Sequence, residues 1–175
     1  DGVALRATEA GSRVRVGFLR GDAMLLPFPD GSIDVVICAQ VYEHVPDDKR
    51  LFQEIHRVLA ADGVVFFSGP NWLFPIEPHY FLPFLHWLPS KWADGYLRLS
   101  GLGDVYYERS RHLWGLRRLA YRFEVVDISV DVLFQHVLAR HVALRQVLSL
   151  LPDVVWWGVR PLLPNINWVL RKPAL

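Results

Sequence analysis

The side chains best suited to chemistry in this sequence each follow an apolar run. Glu43 and His44 are adjacent, and a carboxylate beside an imidazole is a candidate acid/base pair because histidine titrates near neutral pH. Asp22 follows the run 14–19, and Gln40, whose amide both donates and accepts hydrogen bonds, follows the run 33–39. Each also has a structural alternative: Asp22 as a turn cap, Gln40 as a polar loop residue, and His44 as a packing or capping residue beside a helix.

A βαβ unit would bring the ends of these runs together. Residues 33–39 (IDVVICA) and 64–68 (VVFFS) are apolar almost throughout, which is typical of parallel strands covered on both faces. Between them, Asp47 and Asp48 mark the start of an amphipathic helix, and Gly63 is predicted to end the helix region in a left-handed conformation. A right-handed crossover then puts the ends of both strands at the sheet edge where open α/β sheets bind ligands.

The rest of the chain continues the alternation of strands and helices, which places it in the α/β class. Asp30 and Gly31 predict a turn in a Pro- and Gly-rich loop. The segment after it is irregular and aromatic, and short helices are expected there. The further predicted elements are a strand at 14–19, a helix from 113 to 120, a strand at 123–128, a helix from 132 to 151 and a strand at 165–170.

Composition excludes several classes of protein. Apolar residues make up 52% of the 175 residues, so the chain is not intrinsically disordered. The net charge of +1 is scattered and predicts no nucleic-acid partner. The single cysteine, Cys38, excludes a disulfide framework and a cysteine-based zinc site. Charges and prolines interrupt the long apolar region 144–170, so no transmembrane helix is predicted.

One ordered series of motifs carries a family resemblance. It starts with GDAMLLPFPDGSIDVV from Gly21, continues with QVYEHV from Gln40 and EIHRVL from Glu54, and reaches Gly63. This series resembles the class I S-adenosylmethionine-dependent methyltransferases of the small-molecule type, which have a GDA-x-x-LPFPDGSFD signature. The likeness spans residues 21–71 and is weaker toward the C-terminus.

The resemblance implies a Rossmann-like α/β methyltransferase sheet with helices on both faces. Its seven strands would run in the order 3-2-1-4-5-7-6, with the last strand antiparallel. Residues 14–19 would be strand 3, so the sheet would lack its first two strands, and residues 1–10 would be the tail of the helix after strand 2. The whole chain would be one partial domain with a core at 12–71, a substrate lid at 72–110 and the C-terminal part of the sheet and helices at 111–175.

The resemblance also implies a cofactor, S-adenosylmethionine, and the residues that contact it. In the family, a carboxylate at the position of Asp22 accepts a hydrogen bond from the adenine amino group, and the next backbone N–H contacts the ring. The implied cofactor-binding residues are Asp22, Ala23, Met24, Ala39 and Gln40, and the candidate catalytic residues are Glu43 and His44. Some relatives bind a divalent metal through a Glu-x-x-Glu-His pattern. Here Gln40 occupies the first position, so no metal site is predicted.

The 175 residues contain no glycine-rich D/E-x-G-x-G-x-G loop; the Gly101-Leu102-Gly103 sequence does not follow a suitable strand. The chain opens with Asp1 and has Met24 as its only methionine, and we expect it to be an inactive fragment that binds S-adenosylmethionine weakly or not at all. Strand 33–39 would then expose an apolar edge. Strand 14–19 would stand apart, pair with 33–39, or be completed by another chain.

The predicted function is methyl transfer to a small or lipid-like acceptor. O-, N- and C-methylation all remain open, because the sulfonium is already activated and a base is needed only if the nucleophile must lose a proton. One alternative is a non-catalytic methyltransferase-like interaction module. Another is a membrane-surface protein, since the stretches 81–92 and 154–163 are apolar and rich in tryptophan, although the favoured interpretation of these stretches is a core with a hydrophobic substrate cover. The expected location is the cytoplasm or the membrane periphery; the oligomeric state stays open.

Overall fold

The computed structural model describes residues 3–9, 12–137, 139 and 141–174. Its strands are β1 (Val3–Glu9), β2 (Ser12–Phe18), β3 (Ile33–Ala39), β4 (Leu59–Pro70), β5 (Glu124–Asp127) and β6 (Asn165–Arg171). Its helices are α1 (Asp48–Val58), α2 (Ser90–Ser100), α3 (Leu113–Leu119), α4 (Ser129–Val132), α5 (Val142–Ser149) and α6 (Asp153–Val159).

The main sheet has four strands in the order β3-β4-β6-β5. β3 and β4 are parallel, and β6 runs antiparallel to both β4 and β5. This is the order 4-5-7-6 with an antiparallel last strand that the resemblance implies. The chain is therefore a mixed α/β fold of the Rossmann-like methyltransferase type.

The predicted βαβ unit is confirmed, and one detail of it is corrected. The Asp47 side chain caps α1 by accepting from the backbone N–H of Arg50 (2.9 Å). α1 ends at Val58 and β4 follows directly, so Gly63 lies inside β4 and does not end the helix. A Cβ at Gly63 would lie 3.0 Å from the carbonyl oxygen of Asp34 and 2.8 Å from a Leu59 methyl carbon, so the glycine serves the close approach of β3 and β4.

The main hydrophobic core lies between one face of the sheet and the helices α1 and α3. From the sheet it takes Cys38, Val65, Phe67, Ile166, Trp168 and Leu170, and from the helices Leu51, Phe52, Ile55, Leu113 and Leu116. On the opposite face of β3, the side chains of Val35 and Ile37 are 59% and 72% exposed. Helices α1 and α3 therefore cover one face of the sheet, whereas the other face of β3 is apolar and open. β3 also lies at the edge of the sheet, as expected.

The N-terminal segment differs from its prediction. Residues 3–9 form strand β1, not the tail of a helix, and pair antiparallel with β2 in a separate two-stranded sheet; residues 1, 2 and 10 of that segment lie outside the described part of the chain. The backbone groups of a strand need hydrogen-bond partners, and β1 supplies them where the main sheet does not. Of the three arrangements expected for strand 14–19, the structure adopts the one in which it stands apart.

The segment between β4 and α3 contains the expected short helices, a 3₁₀ turn at Leu85–Trp87 and α2. Leu85, Ala93 and Leu97 form a second, smaller core there. The predicted continuous helix 132–151 is wrong, because α4 leads into a π turn at Leu133–Val137 and a separate α5. Most described side chains of α5 are exposed, so no packed face stabilises one long helix.

No single helix in the described ranges meets the length and hydropathy required to cross a membrane. Val142–Ser149 and Asp153–Leu162 meet it only as a pair, with a bend of 107° between them.

Candidate functional site

Gln40 directly follows the last residue of β3 and has a strained backbone conformation. Its φ is +54°, in the left-handed region that non-glycine residues seldom adopt. Its backbone N–H donates to the carbonyl oxygen of Ser68 at 2.8 Å, which ties the ends of β3 and β4 together. The Gln40 and Ala39 side chains are exposed at this edge. Such strain concentrates at functional sites, where the surrounding structure holds it in place.

Tyr42, which the sequence did not single out, braces the same edge. Its buried hydroxyl donates to the carbonyl oxygen of Pro70 (2.5 Å) and accepts from the backbone N–H of Arg111 (2.9 Å). Gly69 makes room for the ring, because a Cβ there would lie 2.3 Å from a Tyr42 ring carbon. The guanidinium of Arg111 in turn pairs with the Asp48 carboxylate at the start of α1 (Nη2 to Oδ1, 2.8 Å).

Glu43 is buried without a hydrogen-bond partner. It is 1% exposed, and within the described residues neither carboxylate oxygen has a partner. Its Oε1 lies 3.8 Å from Nε2 of His44 and 3.8 Å from Nε2 of His79. Burial raises the pKa of the Glu43 carboxyl, and the two imidazoles oppose that shift. A buried carboxylate left in this state costs free energy, so its retention points to a function.

His79 approaches Glu43 from the segment after β4, and a second buried carboxylate orients it. Glu77 accepts from the backbone N–H groups of His79 and Tyr80, both at 2.8 Å, and its Oε1 lies 2.7 Å from Nδ1 of His79. Glu77 therefore holds the Nδ1 side of the His79 ring, and Nε2 lies on the side of Glu43.

His44 completes the group. Its ring meets that of His79 edge-on at 4.9 Å between centroids, and Tyr107 lies 6.2 Å away. We call Glu43, His44, His79 and Glu77 the Glu43 cluster. The structure thus brings together the two predicted catalytic residues and adds His79 and Glu77, neither of which the sequence analysis singled out. No local spacing connects 43–44 with 77–79.

The predicted adenine-contacting residues lie in the loop before β3. Oδ1 of Asp22 accepts from the backbone N–H of Met24 (2.8 Å), so the carboxylate does cap a turn. The side chain is exposed, and a carboxylate has further acceptor capacity for a ligand. Ala23 packs against the main core, and Met24 is half-buried.

Helix α1 fixes the position of this loop. Oε2 of Glu54 accepts from the backbone N–H of Leu26 (2.9 Å), and Arg57 donates to the carbonyl oxygens of Leu26 and Phe28, both at 2.8 Å. Arg50 donates to the carbonyl oxygen of Met24 (3.2 Å). The LPFP segment is therefore held by side chains of the EIHRVL helix.

Cys38 takes no part as a nucleophile. It is 4% exposed within β3, and burial, assisted by the nearby charge of Glu43, raises the pKa of its thiol to about 12. Nucleophilic attack needs the thiolate, which such a pKa suppresses at neutral pH.

Comparison with known proteins gives one consistent family. Residues 2–67 match the model of a methyltransferase domain family. An uncharacterised methyltransferase of Mycobacterium sp. (strain KMS) is 38% identical over 99 residues, which cover 55% of this chain and 39% of that protein. Another, from Mycobacterium tuberculosis (strain ATCC 25177 / H37Ra), is 40% identical over 62 residues, covering 35% and 24%. The chain thus spans about two fifths or less of the length of these curated relatives.

Two solved structures align with the chain at low sequence identity. The YcgJ protein of Bacillus subtilis aligns with a TM-score of 0.48 and 18% identity, covering 90% of this chain and 71% of that one. An S-adenosylmethionine-dependent methyltransferase of Mesorhizobium loti aligns with a TM-score of 0.47 and 15% identity, covering 88% and 68%. Residues 2–67 are thus similar to a methyltransferase domain, and the curated relatives and the strand order support the class I S-adenosylmethionine-dependent methyltransferases, whose cofactor is S-adenosylmethionine.

Proposed function

We propose that this chain serves S-adenosylmethionine-dependent methyl transfer to a small or lipid-like acceptor, and that it contributes the adenine-side loop and the acceptor side of the active site. The observation that carries the proposal is the edge formed by β3 and β4. There the strained Gln40 precedes a buried carboxylate and an imidazole, at the carboxyl ends of parallel strands where such sheets bind ligands.

In this proposal the protein mainly aligns the reactants. Asp22 accepts from the adenine amino group while it keeps the turn with Met24, and Ala23 contributes a backbone N–H. Ala39 and Gln40 lie beside the methionine portion, and Glu43 and His44 face the acceptor. In-line alignment of nucleophile, methyl and sulfur gives most of the acceleration, and His44 takes a proton only if the acceptor must lose one.

We further propose that the active site is completed by residues outside these 175. The chain contains no glycine-rich cofactor loop, and the apolar face and edge of β3 stay open. A strand that paired with β3 would satisfy its edge and cover Val35 and Ile37. By itself the chain should therefore bind S-adenosylmethionine weakly, and calorimetry showing micromolar affinity would contradict this.

A lipid-like acceptor is favoured by the exposed apolar surface of α6 and its flanks. Leu150, Val154 and Trp157 are 83%, 70% and 73% exposed, and Leu162 is 56% exposed. Exposed apolar surface rich in tryptophan is typical of contact with a membrane interface. We accordingly propose a cytoplasmic enzyme that acts at the membrane surface.

The test compares the protein expressed from its complete coding sequence with the 175-residue chain. Both receive S-adenosylmethionine with a radiolabelled methyl group and a cell extract as acceptor source, and label is counted in the solvent-extracted and aqueous fractions. We expect transfer into the extracted fraction by the complete protein only. Label in neither fraction would contradict methyl transfer, and label in the aqueous fraction alone would contradict the lipid-like acceptor.

A matched pair of variants tests the role of Asp22 in the complete protein. Asp22→Asn keeps an oxygen for the turn with Met24 but loses the charge, and we expect about tenfold weaker S-adenosylmethionine binding, roughly 1.4 kcal/mol. The exposed Asp62 serves as the control, since Asp62→Asn should leave the affinity unchanged. Equal affinities of the two variants would remove Asp22 from the cofactor site.

A further inference from the structure

We propose that Glu43, His44 and His79 form a binding site for one divalent transition-metal ion, with Glu77 as the residue that orients His79. The sequence predicts no metal here because Gln40 lacks a carboxylate. The structure supplies a nitrogen ligand from a distant segment instead. Metal binding can be measured without S-adenosylmethionine or acceptor, so this inference goes beyond the proposed reaction and is tested separately from it.

The geometry brings three ligand atoms to one point. One carboxylate oxygen of Glu43 and one ring nitrogen from each histidine all lie within 4.8 Å of one another, and Oε1 of Glu43 is 3.8 Å from Nε2 of both histidines. Zinc binds nitrogen and oxygen at about 2.0–2.2 Å, so two ligands of one ion lie about 3–3.5 Å apart. Closing the site therefore takes adjustments of a few tenths of an ångström between Glu43 and each histidine, and of up to about 1.3 Å for a pair at the 4.8 Å limit.

The unpartnered carboxylate of Glu43 is a second, independent indication. Its Oε1 is 3.8 Å from Nε2 of each histidine, which is too long for a hydrogen bond. Leaving a buried carboxylate without partners is costly, and a cation between Glu43 and the histidines would satisfy it. A purely structural residue at this position would have no need of the charge.

Glu77 gives His79 the orientation of a metal ligand. Metal-binding histidines usually donate their other ring N–H to a carboxylate or carbonyl, which fixes the tautomer and increases the basicity of the ligand nitrogen. The bond of 2.7 Å from Nδ1 of His79 to the fully buried Glu77 has this form, and it leaves Nε2 directed toward Glu43.

The donor set indicates which ions fit. Two imidazoles and one carboxylate suit Zn²⁺, Fe²⁺ or Mn²⁺, whereas Mg²⁺ and Ca²⁺ prefer all-oxygen sites. Three protein ligands leave a coordination position open, as in catalytic rather than structural sites. His44 is partly exposed, so the open position is reachable for an acceptor oxygen or water. An imidazole nitrogen bound to an ion takes no proton, so the role of His44 as a base applies only to the site without metal.

The test measures Zn²⁺ binding by isothermal titration of the chelator-stripped 175-residue chain without cofactor. We expect one ion per chain, little competition from Mg²⁺, and a higher melting temperature with Zn²⁺. Glu43→Gln and His79→Asn should each weaken binding at least 100-fold, and Glu77→Gln about tenfold, as for other residues that orient a ligand. His141→Asn, at an exposed histidine outside the cluster, is the matched control and should change nothing.

Cobalt substitution keeps the inference testable if a variant fails to fold. Co²⁺ bound to the wild-type chain should show visible absorption bands of a nitrogen-ligated ion, and Zn²⁺ should abolish them. An aqua-ion spectrum, or Zn²⁺ affinity unchanged in His79→Asn, would overturn the site. Neither result would bear on methyl transfer, which is measured independently.

Discussion

Glu54 connects the loop before β3 to helix α1, and its replacement by glutamine should loosen that connection. Glu54 is 2% exposed and accepts three hydrogen bonds: from the Leu26 backbone N–H (2.9 Å), from Nε of Arg57 (3.0 Å) and from Nη2 of Arg57 (2.8 Å). The amide of Glu54→Gln keeps one oxygen and turns an NH₂ group toward a donor. At least one hydrogen bond is therefore lost, and the remaining ones go to a neutral oxygen instead of a charged carboxylate.

The size of the effect follows from these contacts. A hydrogen bond to a charged group contributes roughly 1.5–3 kcal/mol, against about 1 kcal/mol for a neutral one. The Arg57 side chain is 31% exposed, so water replaces part of the loss. We expect the free energy of unfolding to fall by about 2 kcal/mol at pH 7.

The pH dependence has a defined sign. The hydrogen bonds from Arg57 lower the pKa of the Glu54 carboxyl in the folded state, whereas in the unfolded chain it titrates near about 4.3. The stabilisation is therefore fully present above about pH 4.3 and is lost as the pH falls through the folded-state pKa. The difference in the free energy of unfolding between wild type and Glu54→Gln should therefore shrink as the pH falls.

Urea unfolding followed by tryptophan fluorescence measures this difference. With a slope of roughly 1–3 kcal/mol per M, the midpoint should fall by about 1 M at pH 7. Glu124→Gln, at an exposed glutamate on β5, is the control and should shift it little. An unchanged midpoint for Glu54→Gln, or a difference from wild type equally large at pH 3 and pH 7, would refute the reasoning.

Three further predictions concern the framework of the site, all measured by urea unfolding. Tyr42→Phe should cost about 1–3 kcal/mol, because it leaves the buried carbonyl oxygen of Pro70 without its donor and the N–H of Arg111 without its acceptor, and an unchanged midpoint would mean that these bonds do not form in solution. Gly69→Ala should cost about 1–3 kcal/mol through the clash with the Tyr42 ring; a neutral result would contradict the close packing. Ile55→Ala should cost about 2–5 kcal/mol and Ile37→Ala less than about 0.5, whereas equal losses would show that the outer face of β3 is covered.

The elements of the βαβ unit were predictable because their signals are local. Strand β3 has the predicted bounds, α1 begins at the predicted aspartates, and the parallel pairing of β3 with β4 follows from the alternation of strand, helix and strand. Prediction from the sequence failed where contacts with another strand determine the local structure. Gly63 was misread because its role is close contact between two strands, and residues 3–9 became a strand because β2 needed a partner.

Of the candidate site, the sequence alone determined the pair Glu43 and His44 and the loop that begins at Asp22, since both lie directly after strands with clear apolar patterns. Only the tertiary structure decided that His79 and Glu77 join them, that Glu43 is buried without a partner, and that Gln40 is strained. The physical reason is that burial and convergence depend on how distant segments pack. Spacing along the chain does not record which side chains meet.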